Sequence, residues 1–400
     1  MKTTERSFIR TYNRYNILNT IRTAGMISRV DISRKLGLSK ASLTGITAEL
    51  ITEGLVLEKQ PGAYQVGRRP ILLAINPDGA YAIGVSITIR QIQAAIINFQ
   101  AEIKASHALP LKKNHYSPEE LVEKIALTVE TCIEKSDDLK NKISGVGISV
   151  PGLVDSKSGI IRYLPNYGWT DINLRTMLRD RIGFTTHIDN DANNVTIAEH
   201  WFGKGSGSDN FIVLIIENGI GAGYVLNGQL IRGNLGIAGE FGHMSINPDG
   251  PLCRCGKRGC VEAYSGIYAV MKDVSKIEAS GKLSATSKKS VSFLNIIDEA
   301  KKGNSELMKI FDRAGRVLGI GISQLITLVN PEKIILTGTG IQAGELLLTP
   351  MFEAIKNYRS DKFGSYKTEI LISKWTNEDF AKGAGTLVLQ EIYKSPALRT

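Results

Sequence analysis

The residue pattern predicts an α/β protein that begins with a winged helix-turn-helix. Three observations carry this reading. Two helical stretches meet at the tight turn Gly37-Leu38-Ser39 and are followed by paired strand-like runs. A turn at Asn76-Pro77-Asp78-Gly79 then opens a longer region in which strands alternate with helices. Glycines and paired polar residues recur where those strands end, the place where α/β sheets bind ligands.

The first expected helix runs from Arg6 to Thr23, with Ile9, Ile17, Leu18 and Ile21 near helical spacing and Gly25 as its stop. Ser28-Arg29-Val30-Asp31 has the capping pattern for a short helix reaching Leu36. Ser39 caps a third helix whose inner face is Leu43, Ile46 and Leu50, and Gly54 ends it. In a helix-turn-helix this last helix enters the major groove with its N-terminal residues nearest the bases, so Ser39, Lys40, Ala41, Ser42 and Thr44 are the candidate DNA contacts. Lys40 and the helix N-terminus suit phosphates, and the small residues permit close approach. Leu55-Val56-Leu57 and Ile71-Leu72-Leu73 are expected to pair as a wing, carrying Arg68 and Arg69 near its tip for a narrow minor groove.

Charge supports a polyanionic partner. The net charge is +10, and residues 1–75 hold twelve Lys/Arg against five Asp/Glu, so +7 of it falls in that segment. A three-helix protein-interaction module with a basic surface is the competing reading. Helix pair, wing and charge together favour double-stranded DNA.

Beyond the turn at 76–79, strands are expected at Tyr81–Ile87, Gln93–Phe99, Lys142–Val150, His187–Asp189, Phe211–Ile216 and Glu332–Leu336. Helices are expected at Pro118–Lys135, after Asn190-Asp191 through His200, at Ser305–Val329 and at Asp379–Tyr393. The run Gly219-Ile220-Gly221-Ala222-Gly223 reads as a loop after its strand, as does Gly338-Thr339-Gly340.

Composition is that of an ordinary globular chain, 42% hydrophobic and 22% charged. No run of 18 apolar residues suggests a membrane span, and the N-terminus lacks the apolar core of a signal peptide. Of four cysteines, Cys132 lies in a helical pattern as a buried small hydrophobe, while three cluster. The expected compartment is the reducing cytoplasm.

That cluster is Gly239-Glu240-Phe241-Gly242-His243 followed by Cys253-Arg254-Cys255 and Gly259-Cys260-Val261-Glu262. One imidazole and three thiolates close a tetrahedral zinc site, so His243, Cys253, Cys255 and Cys260 are the candidate ligands. Four protein ligands leave no position for water, which makes the zinc structural. Glu240 and Glu262 flank it, pinned beside a pocket.

The chain resembles the family of repressors, open reading frames and sugar kinases (ROK), in its helix-turn-helix repressor branch. The resemblance rests on the cluster from Gly239 to Glu262, on Asn190-Asp191, on Asn166 with Trp169, and on Gly219 to Gly223. It implies a two-lobed, actin-like sugar-kinase (ribonuclease H-like) fold behind the winged helix-turn-helix. The implied domains are 1–75, a first α/β lobe at 76–190 completed by 377–400, and a second at 191–376 with the zinc site. It also implies a sugar pocket between the lobes built from Asn166, Asn190, Asp191, Glu240, His243 and Glu262. Carboxylates and carboxamides suit adjacent hydroxyls, which both donate and accept. Asn190-Asp191 by itself equally suits a helix cap.

One departure bears on activity. The family's kinases open their first lobe with Asp-x-Gly-Gly-Thr, whereas this chain reads Ser86-Ile87-Thr88-Ile89-Arg90, without carboxylate or glycine for metal and phosphate. Asn218 stands where the kinases usually have threonine. Asp191, the general base in the kinases, remains. The expectation is therefore no enzyme but a sugar-responsive repressor of a carbohydrate-utilisation operon, released from its operator by sugar and acting as a homodimer or dimer of dimers. A sugar kinase with an added DNA-binding arm and a transcriptional activator are the alternatives. Three carboxylates in the pocket favour an unphosphorylated sugar. The family also holds members regulated by a phosphotransferase protein.

Overall fold

Capping chemistry sets the N-terminal elements. In this computed structural model, which describes residues 2–59, 71–113, 115–280, 292–359 and 368–393, α1 (Lys2–Ala24) leads into β1 (Met26–Ser28). Ser28 accepts the Asp31 N–H at the start of α2 (Arg29–Leu36), and Gly37 closes it at φ 65°. Ser39 accepts the Ser42 N–H and starts α3 (Lys40–Thr52). Ile17, Leu18 and Ile21 of α1 pack with Ile32, Leu43, Ile46 and Leu50, all at most 2% exposed. Ile9 does not join them. It is 51% exposed, like its neighbours Phe8 at 48% and Tyr12 at 43%.

The wing strands are β2 (Val56–Lys59) and β3 (Leu72–Ile75), antiparallel, with β1 on the far side of β3. Arg68 and Arg69 lie outside the described residues. The turn at 76–79 forms as expected, and the Asn76 amide donates to the Gly54 carbonyl at 2.6 Å, tying the turn to the end of α3.

Contacts divide the chain into two units, residues 1–194 with 380–400 and residues 195–379. The first holds the helix-turn-helix and a five-stranded sheet. Its elements are β4 (Tyr81–Ile87), β5 (Gln91–Asn98), β6 (Ile103–Pro110), α4 (Pro118–Glu134), β7 (Ile143–Val150), the small sheet β8 (Leu153–Asp155), β9 (Ile160–Leu164) and β10 (Trp169–Ile172), then α5 (Leu174–Ile182) and β11 (Thr186–Asn190). Strand order is β11-β7-β4-β5-β6, parallel across β11, β7 and β4 and antiparallel beyond. Leu121, Ile125, Val129 and Cys132 of α4 pack on Ile83, Val85, Ile96 and Ile148 of the sheet. Burial raises the Cys132 pKa, the behaviour of an inert core thiol.

Helix α6 (Asp191–Phe202) leads into the second unit. There β12 (Phe211–Ile216), β13 (Ile220–Leu226) and β14 (Gln229–Ile231) precede the cysteine cluster, α7 (Glu262–Ser265), α8 (Ile267–Ala279), α9 (Phe293–Lys301), α10 (Ser305–Val329), β15 (Lys333–Thr337), α11 (Glu345–Tyr358) and β16 (Glu369–Ile372). The order β14-β13-β12-β15-β16 repeats that of the first unit, an antiparallel meander continued by two parallel strands. Gly219 to Gly223 corrects the expected loop. From Ile220 onward it is strand, paired from Ile216↔Ile220 to Val213↔Gly223, because the neighbouring β12 supplies a full ladder of partners. Leu318, Ile322 and Phe311 of α10 cover this sheet together with Phe241 and Val261. The last helix, α12 (Asp379–Tyr393), packs from Phe380 onward on β4 and β7 of the first unit. Among the described residues no helix is long and apolar enough to cross a membrane.

Candidate metal centre and polar groups at the strand ends

A folded-back loop brings the cysteines to the histidine. Short bridges Ser245↔Cys260 and Leu252↔Arg258 clamp it, and the Cys253 N–H donates to the Lys257 carbonyl at 2.8 Å. Gly259 turns the chain at φ 69°, where a Cβ would lie 1.5 Å from the Asn247 carbonyl oxygen, so only glycine fits. The ligand atoms of His243, Cys253, Cys255 and Cys260 then lie within 4.8 Å of one another. Cys253 Sγ is 3.6 Å from His243 Nδ1, and Cys255 Sγ is 3.7 Å from Cys260 Sγ. Burial, then the neighbouring Cys255 thiol, pushes the Cys260 pKa up to about 12, so a bound cation is what would favour thiolates there. This cluster has the geometry to hold a metal ion.

One imidazole faces two ways. With Nδ1 toward Cys253, His243 Nε2 is 3.7 Å from Glu240 Oε2. A metal on Nδ1 leaves Nε2 protonated, a donor aimed at the carboxylate side. Glu240 has 46% of its side chain exposed, yet burial by surrounding atoms, and to a lesser degree Glu262, raises its pKa against the lowering effect of His243. Glu262 is more enclosed. Its Oε2 accepts the Ile220 N–H at 3.1 Å and its Oε1 accepts Arg254 Nη2 and Nε at 2.8 and 3.2 Å. Thus Glu240, His243 and Glu262 come together in the second unit. Arg254, their cationic neighbour, went unnoticed in the sequence, although its place between two cysteines was the available signal.

In the first unit, Asn190 and Asp191 stand where β11 becomes α6. Asn190 Oδ1 accepts the Ala192 N–H at 2.8 Å and Nδ2 donates to the Gly152 carbonyl at 3.0 Å, so it caps the helix and also ties down the 151–152 turn. Buried Asp189 holds the approach, accepting the Asn190 N–H and Asn193 Nδ2. Asn166 sits half-buried in the hairpin loop between β9 and β10. That loop rests on Tyr167 and on buried Trp169, whose indole N–H donates to the Tyr116 carbonyl at 3.1 Å. At the start of α3, its cap Ser39 and the residues Lys40, Ala41, Ser42 and Thr44 are all exposed, while Leu43, Ile46 and Leu50 are buried. Arg10 and Arg14 of α1 pair with Glu49 of α3 and with Glu53, its C-cap, so they brace the helix and do not add free charge beside it.

A family model described as the ROK family matches residues 82–391. The chain belongs to the ROK family. The match begins just after the winged helix-turn-helix. The chain is 30% identical to the xylose repressor of Caldicellulosiruptor bescii, over 98% of each protein. Its structure is similar, with TM-score 0.83 and 25% identity, to a ROK family transcriptional regulator that is a homologue of the E. coli MLC protein, covering 96% of this chain and 97% of that one. A ROK family glucokinase from Streptomyces griseus, in complex with glucose and AMPPNP, is 27% identical with TM-score 0.68 and covers 78% of this chain and 100% of its own.

Against the kinase pattern of the ROK family, the first strand end differs. The β4–β5 turn is closed on itself: Thr88 Oγ1 accepts the Gln91 N–H at 3.1 Å, and no carboxylate stands in the segment Ser86 to Arg90. In the second unit Glu217, at the end of β12, accepts the Thr339 N–H at 2.5 Å through Oε1. A carboxylate thereby takes up a backbone donor of the Gly338-Thr339-Gly340 turn.

Proposed function

We propose that this chain is a sugar-responsive DNA-binding repressor of a carbohydrate-utilisation operon. One combination of features carries the reading. An exposed recognition-type helix accompanies sugar-type polar groups, while the first phosphate loop of the kinases is missing, the segment Ser86 to Arg90 having neither carboxylate nor glycine. Phosphoryl transfer depends on positioning and charge neutralisation, so losing the first loop should disable it and leave recognition.

In this reading Ser39, Lys40, Ala41, Ser42 and Thr44 contact the major groove, and Arg68 and Arg69 reach the minor groove from the wing. Asn166, Asn190, Asp191, Glu240, His243 and Glu262 bind the sugar. Asn190 and Glu262 do so with the hydrogen-bonding capacity their internal bonds leave over. The cluster of His243, Cys253, Cys255 and Cys260 holds structural zinc. A tetrahedron with Zn–S of about 2.3 Å and Zn–N of about 2.0 Å has S–S and S–N edges of roughly 3.8 and 3.5 Å. The separations of 3.7 and 3.6 Å fit both. Zinc supplies a fixed cationic anchor that holds the thiolates and aims the imidazole. Paired recognition helices on a palindromic operator call for a homodimer or dimer of dimers, working in the cytoplasm. Sugar releases the operator by binding one conformation more tightly than the other.

The relative named for xylose makes D-xylose the first effector to test. Thermal shift with D-xylose, D-glucose, N-acetyl-D-glucosamine and their phosphates, followed by gel shift on promoter DNA, checks the reading. We expect a neutral sugar to stabilise the protein and release the fragment. Sugar-dependent ADP formation from ATP, or no retention of promoter DNA, overturns it.

A further inference from the structure

Arg254 lies between Cys253 and Cys255, so whatever fixes the two cysteines fixes its backbone. Its side chain leaves the cluster and turns to Glu262. Nη2 and Nε both reach Oε1, at 2.8 and 3.2 Å, and the guanidinium carbon stands 5.1 Å from the centre of the Tyr268 ring. The second carboxylate oxygen is held by the Ile220 N–H. Gly219 leaves room for this, since a Cβ there would lie 2.4 Å from Glu262 Oε2 and 2.9 Å from Arg254 Nη2. Glu262 is 9% exposed and Arg254 41%. The carboxylate is thus buried, with one backbone donor and one cation to compensate it. A buried charge that loses its partner is strongly disfavoured, so Glu262 keeps this position only while Arg254 does.

We propose that Arg254 is a positioning residue that links metal occupancy to the placement of Glu262. Metal orders the Cys253–Cys260 loop, the ordered loop aims the guanidinium, and the guanidinium holds Oε1 so that the remaining capacity of the carboxylate faces the ligand. Linkage makes the effect reciprocal: breaking the pair loosens the metal. Lysine cannot substitute fully, because a single ammonium lacks both the fork and the flat face that meets Tyr268. The inference rests on the zinc reading above, and the test separates the two.

Zinc-loaded full-length protein is mixed with the chelating dye 4-(2-pyridylazo)resorcinol, and zinc content and release rate are measured. The variants are Arg254→Met, Arg254→Lys, Glu262→Gln and the Arg254→Met/Glu262→Gln double. We expect all to load zinc. Arg254→Met and Glu262→Gln each release it about tenfold faster, the lower end of what outer-sphere partners contribute. The double variant should be no faster than either single, and Arg254→Lys should fall between wild type and Arg254→Met. Release from Arg254→Met at the wild-type rate, or additive effects in the double, overturns the coupling while leaving zinc in place. A wild-type protein that retains no zinc overturns both.

Discussion

Helix α12 lies so close to the first sheet that a single methyl group should displace it. A Cβ built on Gly84 would sit 1.7 Å from the Ala381 carbonyl oxygen and 2.5 Å from the Gly385 nitrogen, and one on Gly147 would sit 1.8 Å from the Ala384 oxygen. An ordinary C···O contact is about 3.3 Å, so Gly84→Ala forces a retreat of roughly 1.5 Å. The obstructing atoms are helix backbone, and no side-chain rotation relieves them. Overpacking costs about 1–3 kcal/mol, and this case belongs at the upper end. At about 1.4 kcal/mol per tenfold, 3 kcal/mol is a loss of roughly a hundredfold in the local closing equilibrium. With two units present, a single global unfolding energy is not the right measure. Hydrogen exchange over residues 380–393 and 81–87 reads the effect directly, and both segments should exchange faster in Gly84→Ala. The retreat also carries Tyr393 away from Arg22 of α1, whose guanidinium carbon lies 5.8 Å from that ring centre, so protection near residue 22 should fall as well. Wild-type exchange across α12 in Gly84→Ala would refute the close-packing argument.

Three further outcomes follow from named groups. Lys40→Ala should weaken binding to every promoter fragment alike and lower the slope of log affinity against log salt by about 1, as one lost phosphate contact does; anisotropy titrations at several salt concentrations check this, and an unchanged slope removes Lys40 from the backbone. Cys255→Ser should lose its metal, read by elemental analysis, together with any sugar-induced thermal shift; unchanged metal content eliminates the site. Burial pushes the Tyr167 and Tyr224 phenols up to about 12 from the usual 10, so the folded state favours the neutral forms. Their stabilisation is complete below pH 10 and is lost as pH rises toward about 12. Melting temperature should therefore drop through that window, less steeply in Tyr167→Phe, and an identical slope in that variant would contradict the assignment.

Elements whose signal is local were legible in advance. Tyr81–Ile87, Phe211–Ile216, Ser305–Val329 and Asp379–Tyr393 have the bounds expected of them, and Ser28 and Ser39 cap the helices expected of them. In each case the deciding chemistry, a hydrophobic period or a hydroxyl beside a free N–H, lies within a few residues along the chain. The cysteine cluster was legible for the same reason, because a short loop with glycines at its turns returns three thiols to one histidine. The glycine run at β13 was not, since its strand character comes from its partner β12. Edge strand β6 was missed because its half-exposed residues carry little apolar alternation. Ile9 fits the helical period but is 51% exposed among the described residues, because periodicity places a residue on a face without saying what covers that face.

The sequence alone singled out the candidate groups: an exposed helix that begins at Lys40, four soft ligands, and polar pairs at strand ends. Tertiary structure decided how those groups are spent. It gave the Asn190 amide to a helix cap and a turn, the two faces of His243 to Cys253 and Glu240, Glu262 to Arg254, and the Thr339 N–H to Glu217, 122 positions away. Hydrogen-bonding capacity is a finite property of each side chain, but which partner takes it depends on distances between segments remote in the chain, and only the folded sheets set those distances.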